Sequence, residues 1–415
     1  MDHSTDVKST RTHGDKTKIM IALFGHGKTT KAIAKKLGNC LIFDDRFKEE
    51  SQDEFGNRLL PPSMFSTCRG DIQIPSPGFP PNHTLIQQST NLVSEYDFYE
   101  KDIPFSIWIS GTNGKTTTTQ MIEHLLKNRD AVSGGNIGEP LANLDSKKPI
   151  WILESSSFTL HYTKNATPDM YLLLPIKPDH LSWHGNFEDY EEAKLSPIKR
   201  MKEGSIAIVP KKYENYPTNA KLVTYEDEYD LATTLGIDIN QVKFKTPFLQ
   251  DAILAMSTDK ILFDTIDYEK MNSFKTDVHK LEEFKDMKDR IWVNDTKGTN
   301  VDATIEALKR YKNENILIIL GGDDKGVSLD PLFEVIKTLH VEIFAIGTNT
   351  DKIVNLANKV DTKVTACYEL TKAMEIIQKE HTSKTVALLS PAASSLDQFS
   401  SYAARGDLFK KLALS

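Results

Sequence analysis

The 415-residue chain lacks the features that are typical of disulfide-rich proteins, of membrane-spanning proteins and of nucleic-acid binders. Its three cysteines, Cys40, Cys68 and Cys367, are far apart and form neither a disulfide framework nor a metal-ligand pattern, which is typical of a reducing cytoplasm. No apolar run approaches the roughly 20 residues that a membrane-spanning helix needs. The formal net charge is −7, whereas nucleic-acid binders usually carry a basic excess. We therefore expect a cytoplasmic protein with no membrane span and no nucleic-acid partner.

Length and pattern predict several α/β domains after a polar tail. At about 100–200 residues for each domain, the chain has room for roughly two to four. Residues 1–16 are polar and lack the apolar core of a signal peptide, so we expect a disordered tail. Strand and helix patterns then alternate in three blocks, which we place at residues 17–100, 101–278 and 279–415.

The most informative segment is the glycine-rich stretch 110–119, which connects an apolar run to a helical pattern. Backbone N–H groups in such a turn point at one spot, where the helix dipole also favours anions. Lys115 adds a positive charge there, and the Thr116 hydroxyl is placed to help hold Mg²⁺. The loop is shorter than the general phosphate-loop pattern, because Ile109 stands five positions before Gly114. The segment predicts a nucleoside-triphosphate site, although Gly-Lys-Thr alone is also ordinary turn chemistry.

A second glycine turn, Gly25-His26-Gly27, lies in a strand–helix–strand pattern near the start of the chain. Asp44 follows the second strand about 20 residues later, where dinucleotide-binding folds hydrogen-bond a ribose. The third glycine of the usual fingerprint is missing, because Thr30 stands in its place. The turn therefore indicates either a nucleotide site or simply a tight connection between strand and helix.

Charged residues follow the buried strands of the central block. Glu154 ends one apolar run, His180 follows another, and Lys194 lies on a helix expected over residues 189–201. Ligands of open α/β sheets bind beyond the carboxyl ends of the strands, so Lys115, Glu154 and His180 are expected at one edge. Each of these residues also has a structural explanation when it is taken alone: a solvated acid, a structural histidine or an exposed helical lysine.

The third block repeats the strand–helix alternation. The expected strands are 291–293, 316–320, 343–346 and 386–389, and the expected helices are 301–311 and 332–339.

Taken in order along nearly the whole chain, these motifs resemble those of the Mur ligases of peptidoglycan synthesis. The matching segments are 111–116, 135–138 (Gly-Asn-Ile-Gly), 154–158 (Glu-Ser-Ser-Ser-Phe), 179–180, 193–195, 294–300, 321–325 and 389–399, which continues to 405–406. The C-terminal motif contains Ser-Leu-Asp-Gln-Phe instead of the Asn-Pro-Arg core of the members that add diaminopimelate or lysine. It resembles the branch that adds D-glutamate.

The resemblance implies both a fold and a reaction. The fold is α/β with three domains: a Rossmann-like UDP-binding domain, a central phosphate-loop ATPase domain with a mainly parallel sheet, and a Rossmann-like C-terminal domain that binds the amino acid. The reaction joins D-glutamate to UDP-N-acetylmuramoyl-L-alanine through an acyl phosphate formed from ATP. The implied cofactors are ATP and two Mg²⁺ ions, and the enzyme is expected to be a monomer.

The resemblance also assigns roles to individual residues. The catalytic residues are Lys115, Glu154, His180 and Lys194, and the metal ligands are Thr116, Glu154, His180 and a carbamylated Lys194. ATP is expected to contact Gly111, Thr112, Asn113, Gly114, Lys115, Thr116, Thr117, Lys280 and Asp295. The UDP substrate is expected at Gly25, Lys28, Thr29, Asp44, Asp45, Arg46, Gly78 and Asn136, and D-glutamate at Thr299, Lys325, Ser395 and Tyr402.

Three segments depart from the family's pattern. Residues 247–251 replace its His-Asn-x-x-Asn motif, which alters the side expected to hold adenine. Lys280 replaces an arginine, so the charge that pairs with phosphate is kept while the bidentate fork is lost. Residues 175–178 replace the usual Asn-Val-Thr.

Three other functions compete with this interpretation. The C-terminal Ser-Leu-Asp-Gln-Phe motif disfavours a Mur ligase that adds another amino acid. The first domain, with its UDP-like site, disfavours a folylpolyglutamate synthetase. A scaffold that kept the fold and lost its chemistry is disfavoured because Lys115, Glu154, His180 and Lys194 are all present. A phosphate-loop ATPase of another kind predicts ATP turnover without any requirement for an amino acid.

Overall fold

Three mainly parallel β-sheets organise the described part of the chain, residues 19–136 and 138–415 of the computed structural model. The tail expected at residues 1–16 lies outside the described residues. The chain divides into two compact units, Met1–Glu95 and Tyr96–Ser415, and the second unit contains two of the sheets. The α/β class and the mainly parallel sheets expected from the sequence are confirmed.

The first unit contains a five-stranded sheet in the order β3-β4-β2-β1-β5, in which only the edge strand β3 runs antiparallel to its neighbour. Its elements are β1 (Ile21–Phe24), α1 (Lys28–Leu37), β2 (Leu41–Phe43), β3 (Ser51–Gln52), β4 (Arg58–Leu60), β5 (Ile72–Pro75) and α2 (Thr84–Gln87). The strands β1 and β2 are almost completely buried apolar runs, as parallel strands usually are. The strand–turn–helix pattern read from the sequence here is therefore confirmed.

The second unit begins with an all-parallel six-stranded sheet, in the order β11-β10-β9-β6-β8-β7. Its elements are α3 (Glu95–Phe98), β6 (Phe105–Ser110), α4 (Lys115–Leu126), β7 (Ala131–Gly135), β8 (Ile150–Glu154), α5 (Ser157–Tyr162), β9 (Met170–Leu173), α6 (Leu181–His184), α7 (Phe187–Arg200), β10 (Ile206–Pro210), β11 (Lys221–Tyr225), α8 (Glu228–Leu235), α9 (Phe248–Phe263) and α10 (Tyr268–Asn272). Helices α4 and α9 pack on this sheet through one apolar core that includes Ile122, Leu125 and Ile253.

The last sheet has the order β12-β13-β17-β14-β15-β16, and only β12 runs antiparallel to its neighbour. Its elements are β12 (Glu282–Lys285), β13 (Ile291–Asn294), α11 (Val301–Arg310), β14 (Asn315–Leu320), α12 (Asp330–Ile336), β15 (Val341–Ile346), α13 (Thr350–Lys359), β16 (Val364–Tyr368), α14 (Leu370–Glu380), β17 (Thr385–Leu389) and α15 (Tyr402–Ala413). Separate apolar cores cover its two faces, one around Ile318 and the other around Ile319.

Local capping explains small differences from the expected helix bounds. The helix expected at 189–201 begins at Phe187, because the Asn186 side chain accepts a hydrogen bond of 2.7 Å from the Asp189 N–H. The helix expected at 332–339 spans Asp330–Ile336, with a proline in its first turn. In the described part of the chain, no helix is both long and apolar enough to cross a membrane.

Candidate active site

The phosphate loop connects β6 to α4 through two glycines that no other residue could replace easily. Gly111 and Gly114 have φ angles of 141° and 85°, a region that side chains rarely adopt. A Cβ atom at Gly111 would lie 2.6 Å from the Cβ of Leu174, and one at Gly114 would lie 2.3 Å from Asp251 Oδ1. The loop is therefore wedged between β9 and α9, and its conformation is fixed by its neighbours.

Two lysines converge on the main chain of this loop. The Lys115 ammonium donates hydrogen bonds to the carbonyls of Gly111 (3.0 Å) and Thr112 (2.8 Å). Lys194, on α7 and only 1% exposed, donates to the same Gly111 carbonyl at 2.7 Å. Burial lowers the pKa of Lys115 and places the pKa of Lys194 well below its usual value. Two nitrogens held at one carbonyl suit a site that receives several negative charges.

Glu154 ends β8 beside the start of α4, and both of its carboxylate oxygens accept hydrogen bonds. The Thr116 hydroxyl donates to Oε2 at 2.8 Å, and the Asn136 amide donates to Oε1 at 2.7 Å. Glu154 itself is 2% exposed. A hydroxyl and a carboxylate oxygen at this separation are ligands of the hard type that Mg²⁺ prefers.

Asp179 and His180 follow β9 at the same edge of the sheet. The Lys325 ammonium lies 3.4 Å from Asp179 Oδ1, and the Asn300 amide donates to Oδ2 at 3.3 Å. Burial acts to raise the pKa of Asp179, but the charge of Lys325 and the hydrogen bond from the His180 N–H hold that pKa below its usual value. Burial lowers the pKa of His180 to about 4, so its imidazole is neutral at physiological pH.

A cavity of about 570 Å³ lies at this edge, between the central sheet and the last sheet. Many of the residues expected from the sequence border it: Thr112, Asn113, Gly114, Lys115, Thr116, His180, Lys280, Asp295, Thr299, Lys325 and Tyr402. Four other expected residues do not border the cavity but are hydrogen-bonded next to it: Gly111, Thr117, Glu154 and Lys194. Glu154 and Thr117 accept from Thr116 and Lys280, which border the cavity, and Lys194 donates to Gly111. The phosphate loop and the residues expected to hold an amino acid therefore share one space.

Ser395 differs from the other residues expected to bind the amino acid. It is 3% exposed and is absent from the described residues that border the cavity. Its main-chain carbonyl accepts hydrogen bonds from the N–H groups of Gln398 and Phe399, which forms a tight turn.

Several residues of the first unit that are expected to bind UDP surround the turn after β1. Gly25 has a φ angle of 83°, and a Cβ atom there would lie 3.2 Å from Phe79. The carboxylate of Asp44 accepts two hydrogen bonds of 2.7 Å from the Arg46 guanidinium and one of 2.6 Å from the His26 N–H. Hydrogen bonding to Arg46 holds the pKa of Asp44 far below its usual value.

Except for Asn136, the other residues expected to bind the UDP substrate occupy the same unit. Lys28 and Thr29 begin α1, Asp45 lies 3.3 Å from the His83 imidazole, and Gly78 follows β5. Asn136, in the second unit, contacts Glu154 as described above.

Comparison with known proteins places this geometry in a family. The sequence pattern of the Mur ligase middle domain matches residues 109–276, which include the phosphate loop, Glu154, His180 and Lys194. A UDP-N-acetylmuramoylalanine–D-glutamate ligase of Campylobacter jejuni is 55% identical over 94% of this chain and 98% of its own length. The chain belongs to the Mur ligase family. A second such ligase, from Helicobacter pylori, is 43% identical over 95% of this chain and 99% of its own length.

Solved Mur ligase structures share the fold. MurF of Thermotoga maritima, in complex with ADP, superposes with a TM-score of 0.59 over 91% of this chain and 94% of its own, at 16% identity. MurC of the same organism gives a TM-score of 0.58 over 95% of this chain and 99% of its own, at 14% identity. The resemblance to the Mur ligases and to their D-glutamate-adding branch, inferred from the motifs, is confirmed.

A buried ion pair at the cavity lies where this Mur ligase departs from the family's pattern. Asp251, on α9, accepts a hydrogen bond of 3.2 Å from Thr118, and its Oδ2 lies 3.6 Å from the Lys280 ammonium. Lys280 also donates to the Thr117 hydroxyl at 2.7 Å. Burial raises the pKa of Asp251 despite the charge of Lys280. Both departures are visible in the sequence, but the sequence analysis did not pair them. The signal that could have paired them is the new acid, Asp251, in a segment where the family's motif has no acid, together with a changed cation at Lys280.

Proposed function

We propose that this chain joins D-glutamate to UDP-N-acetylmuramoyl-L-alanine at the expense of ATP, as the names of its relatives indicate. The observation that carries the proposal is the shared cavity, which Lys115 and Thr116 border from the phosphate loop and Thr299, Lys325 and Tyr402 border from the last sheet. An activated acyl group formed at the phosphate loop would therefore lie in the same space as the incoming amino acid.

ATP is held by the phosphate loop in this proposal. The first N–H groups of α4, which have no acceptor within the helix, and the Lys115 ammonium would attract the β- and γ-phosphates, and the helix dipole would add to this attraction. Phosphoryl transfer depends mainly on positioning and on neutralising charge, and a preformed loop fixed by Gly111 and Gly114 supplies both. Asp295 borders the same cavity and is proposed to contact the ribose side of ATP.

Thr116 and Glu154 are proposed to hold Mg²⁺. Their oxygens lie 2.8 Å apart at the end of β8, and both are of the type that fits a hard cation. A bound Mg²⁺ would neutralise charge on the transferred phosphate. His180 is neutral and borders the cavity, so it fits the metal-ligand role that the resemblance implies.

Lys194 fits a metal site only after modification. As an ammonium it donates to the Gly111 carbonyl and would repel a cation. Burial favours the neutral amine, whose lone pair can form an N–C bond to CO₂ while one proton is released. The resulting carbamate is an anionic oxygen ligand, in agreement with the carbamylated Lys194 that the resemblance implies.

The amino acid is proposed to bind between the last sheet and the acyl phosphate. Lys325 supplies charge for a carboxylate, and the Thr299 and Tyr402 hydroxyls supply directional hydrogen bonds. The neutral amine of D-glutamate attacks the acyl carbon and its nitrogen gives up one proton. The tetrahedral intermediate then collapses to the amide as the C–O bond to phosphate breaks and phosphate leaves. Ser395 is proposed to contribute from the tight turn next to this space.

The first domain, proposed to span residues 17–100, would bind the UDP portion of the substrate. Gly25, Lys28, Thr29, Asp45, Arg46 and Gly78 are proposed contacts, together with Asp44, which orients Arg46 through their paired hydrogen bonds. The central and C-terminal domains are proposed to span 101–278 and 279–415, and Asn136 would contact the muramoyl-alanine portion.

The experiment that tests this function follows labelled oxygen. UDP-N-acetylmuramoyl-L-alanine carrying ¹⁸O in its carboxylate is incubated with ATP, D-glutamate and the enzyme. Because the acyl phosphate takes one carboxylate oxygen to phosphorus, the released phosphate should carry one ¹⁸O atom for each amide formed. Unlabelled phosphate released together with amide would contradict the proposed intermediate, and absence of amide would contradict the proposed reaction.

A further inference from the structure

Arg405 is a buried cation that the proposed reaction does not use. It lies on α15, one turn after Tyr402, and is 1% exposed. In the described part of the chain, no carboxylate lies within 4.0 Å of its guanidinium. Burial lowers the pKa of Arg405 to about 10, which leaves it charged at neutral pH. A buried charge without a counter-ion is unfavourable unless its hydrogen bonds are well satisfied.

Hydrogen bonds connect the guanidinium to three separate loops, through one side-chain hydroxyl and three main-chain carbonyls. Its Nε donates to the Thr296 hydroxyl at 2.9 Å, and its Nη2 donates to the Thr296 carbonyl at 3.0 Å. Nη2 also donates to the Ala393 carbonyl at 3.2 Å, and Nη1 lies 3.5 Å from the Gly321 carbonyl. Thr296 follows β13, Gly321 follows β14 and Ala393 follows β17, so one side chain connects the carboxyl ends of three strands.

These three loops also carry three of the four residues proposed to hold the amino acid: Thr299, Lys325 and Ser395. The fourth, Tyr402, begins α15. The main chains of these loops are hydrogen-bonded to one another. The Asp323 N–H donates to the Ser394 carbonyl at 3.0 Å, and the Ser394 N–H donates to the Asp323 carbonyl at 2.7 Å. The Ala392 N–H donates to the Gly298 carbonyl at 3.0 Å. A displacement of one loop therefore moves the other two.

Helix α15 approaches the loops closely enough to make this contact because Gly406 has no side chain. A Cβ atom at Gly406 would lie 2.5 Å from His279 Nδ1 and 2.6 Å from the Thr296 methyl group. The Thr296 hydroxyl, which accepts from Arg405, donates in turn to the Tyr402 carbonyl at 2.9 Å. The first turn of α15 is thus fixed to the same loop.

We propose that Arg405 is a positioning residue whose planar guanidinium sets the relative placement of the three loops that grip the amino-acid substrate. The proposal rests on the proposed function, because it names the support of that site. An ammonium would keep the charge but could not reach three loops with a fixed fork of donors. Arg405→Lys should therefore weaken the amino-acid site selectively.

The test is steady-state phosphate release by the full-length enzyme, with each substrate varied in turn. For Arg405→Lys we expect the KM for D-glutamate to rise roughly tenfold or more, while the KM for ATP stays within about threefold of wild type. In Arg405→Ala, added guanidinium ion should lower the KM for D-glutamate again, whereas ammonium at equal ionic strength should not. An unchanged KM for D-glutamate, or an equal rise in both constants, would overturn the proposal.

Arg290→Lys is the matched control. Arg290 is also buried in this domain and donates to the carbonyls of Gln378 and His381, but it precedes β13 and so lies at the opposite end of that strand. Its replacement should lower the melting temperature and leave the KM for D-glutamate unchanged. A rise equal to that of Arg405→Lys would overturn the proposal.

Thr296→Val keeps the test decisive if the Arg405 variants fail to fold. It removes the hydroxyl that accepts from Arg405 Nε and preserves the shape of the side chain. A selective rise in the KM for D-glutamate supports the proposal, and an unchanged KM overturns it. Absence of phosphate release with D-glutamate in the wild-type enzyme would instead contradict the proposed function itself.

Discussion

The ion pair between Asp251 and Lys280 allows a quantitative test of the active-site geometry. Its charged atoms lie 3.6 Å apart, and the two side chains are 4% and 18% exposed, respectively. Removing one partner of a fully buried pair costs about 3–5 kcal/mol, because the other charge is left without compensation. Since Lys280 retains some exposure, we expect Lys280→Met to lower the free energy of unfolding by about 2–3 kcal/mol.

The same substitution should cost much less when Asp251 is already neutral. Asn at position 251 can still accept the hydrogen bond from Thr118. Lys280 is the more exposed partner and keeps its hydrogen bond to Thr117, so Asp251→Asn alone should change stability by less than about 1 kcal/mol. In that background, Lys280→Met should cost no more than about 1 kcal/mol. The hydrogen bond from Lys280 to Thr117 is lost in both backgrounds and cancels in the comparison.

The assay is urea unfolding of the four proteins at pH 8, with fluorescence and circular dichroism as independent probes. The coupling between the two substitutions should be about 2 kcal/mol. An equal cost of Lys280→Met in the two backgrounds would refute the inference that these residues form a stabilising pair.

Three further predictions follow from single residues. Burial raises the pKa of Asp295 from 3.8 to about 7, so the folded state favours the protonated carboxyl. The resulting stabilisation of the fold is complete below about pH 4 and is lost as the pH rises through 7. Asp295→Asn should therefore melt above wild type at pH 8 and close to it at pH 4.5; an identical difference at both values would contradict this. Gly114→Ala should abolish ATP binding in a calorimetric titration, because the new Cβ would lie 2.3 Å from Asp251 Oδ1, whereas Gly204→Ala, also at positive φ but in open space, should bind normally. Lys194→Ala should lose phosphate release and regain part of it with added short-chain carboxylates; full activity without them would rule out the proposed carbamate.

Much of this site could be predicted from the sequence, because its parts are local. Strand, glycine turn and helix follow one another within about twenty residues around Lys115, and their order alone fixes where the ammonium and the Thr116 hydroxyl lie. Glu154 and His180 end parallel strands, and parallel strands bring their carboxyl ends to one edge. The family motifs then connected these positions to a reaction.

Other features could not be predicted, because they depend on how distant segments pack. The pairing of Asp251 with Lys280 joins α9 to the segment before β12, and the contacts of Arg405 join four segments. In the first unit, the pattern placed Asp44 near a ribose. The structure shows its carboxylate already holding Arg46, and only the folded turn could reveal that.

The most direct test of the account is phosphate release from ATP in the presence of UDP-N-acetylmuramoyl-L-alanine. The amino acids compared are D-glutamate, L-glutamate, meso-diaminopimelate and glycine. Release that requires both the UDP substrate and D-glutamate is the predicted result. Release with a different amino acid would contradict the assignment of the C-terminal site, and release without any amino acid would contradict the proposed ligase.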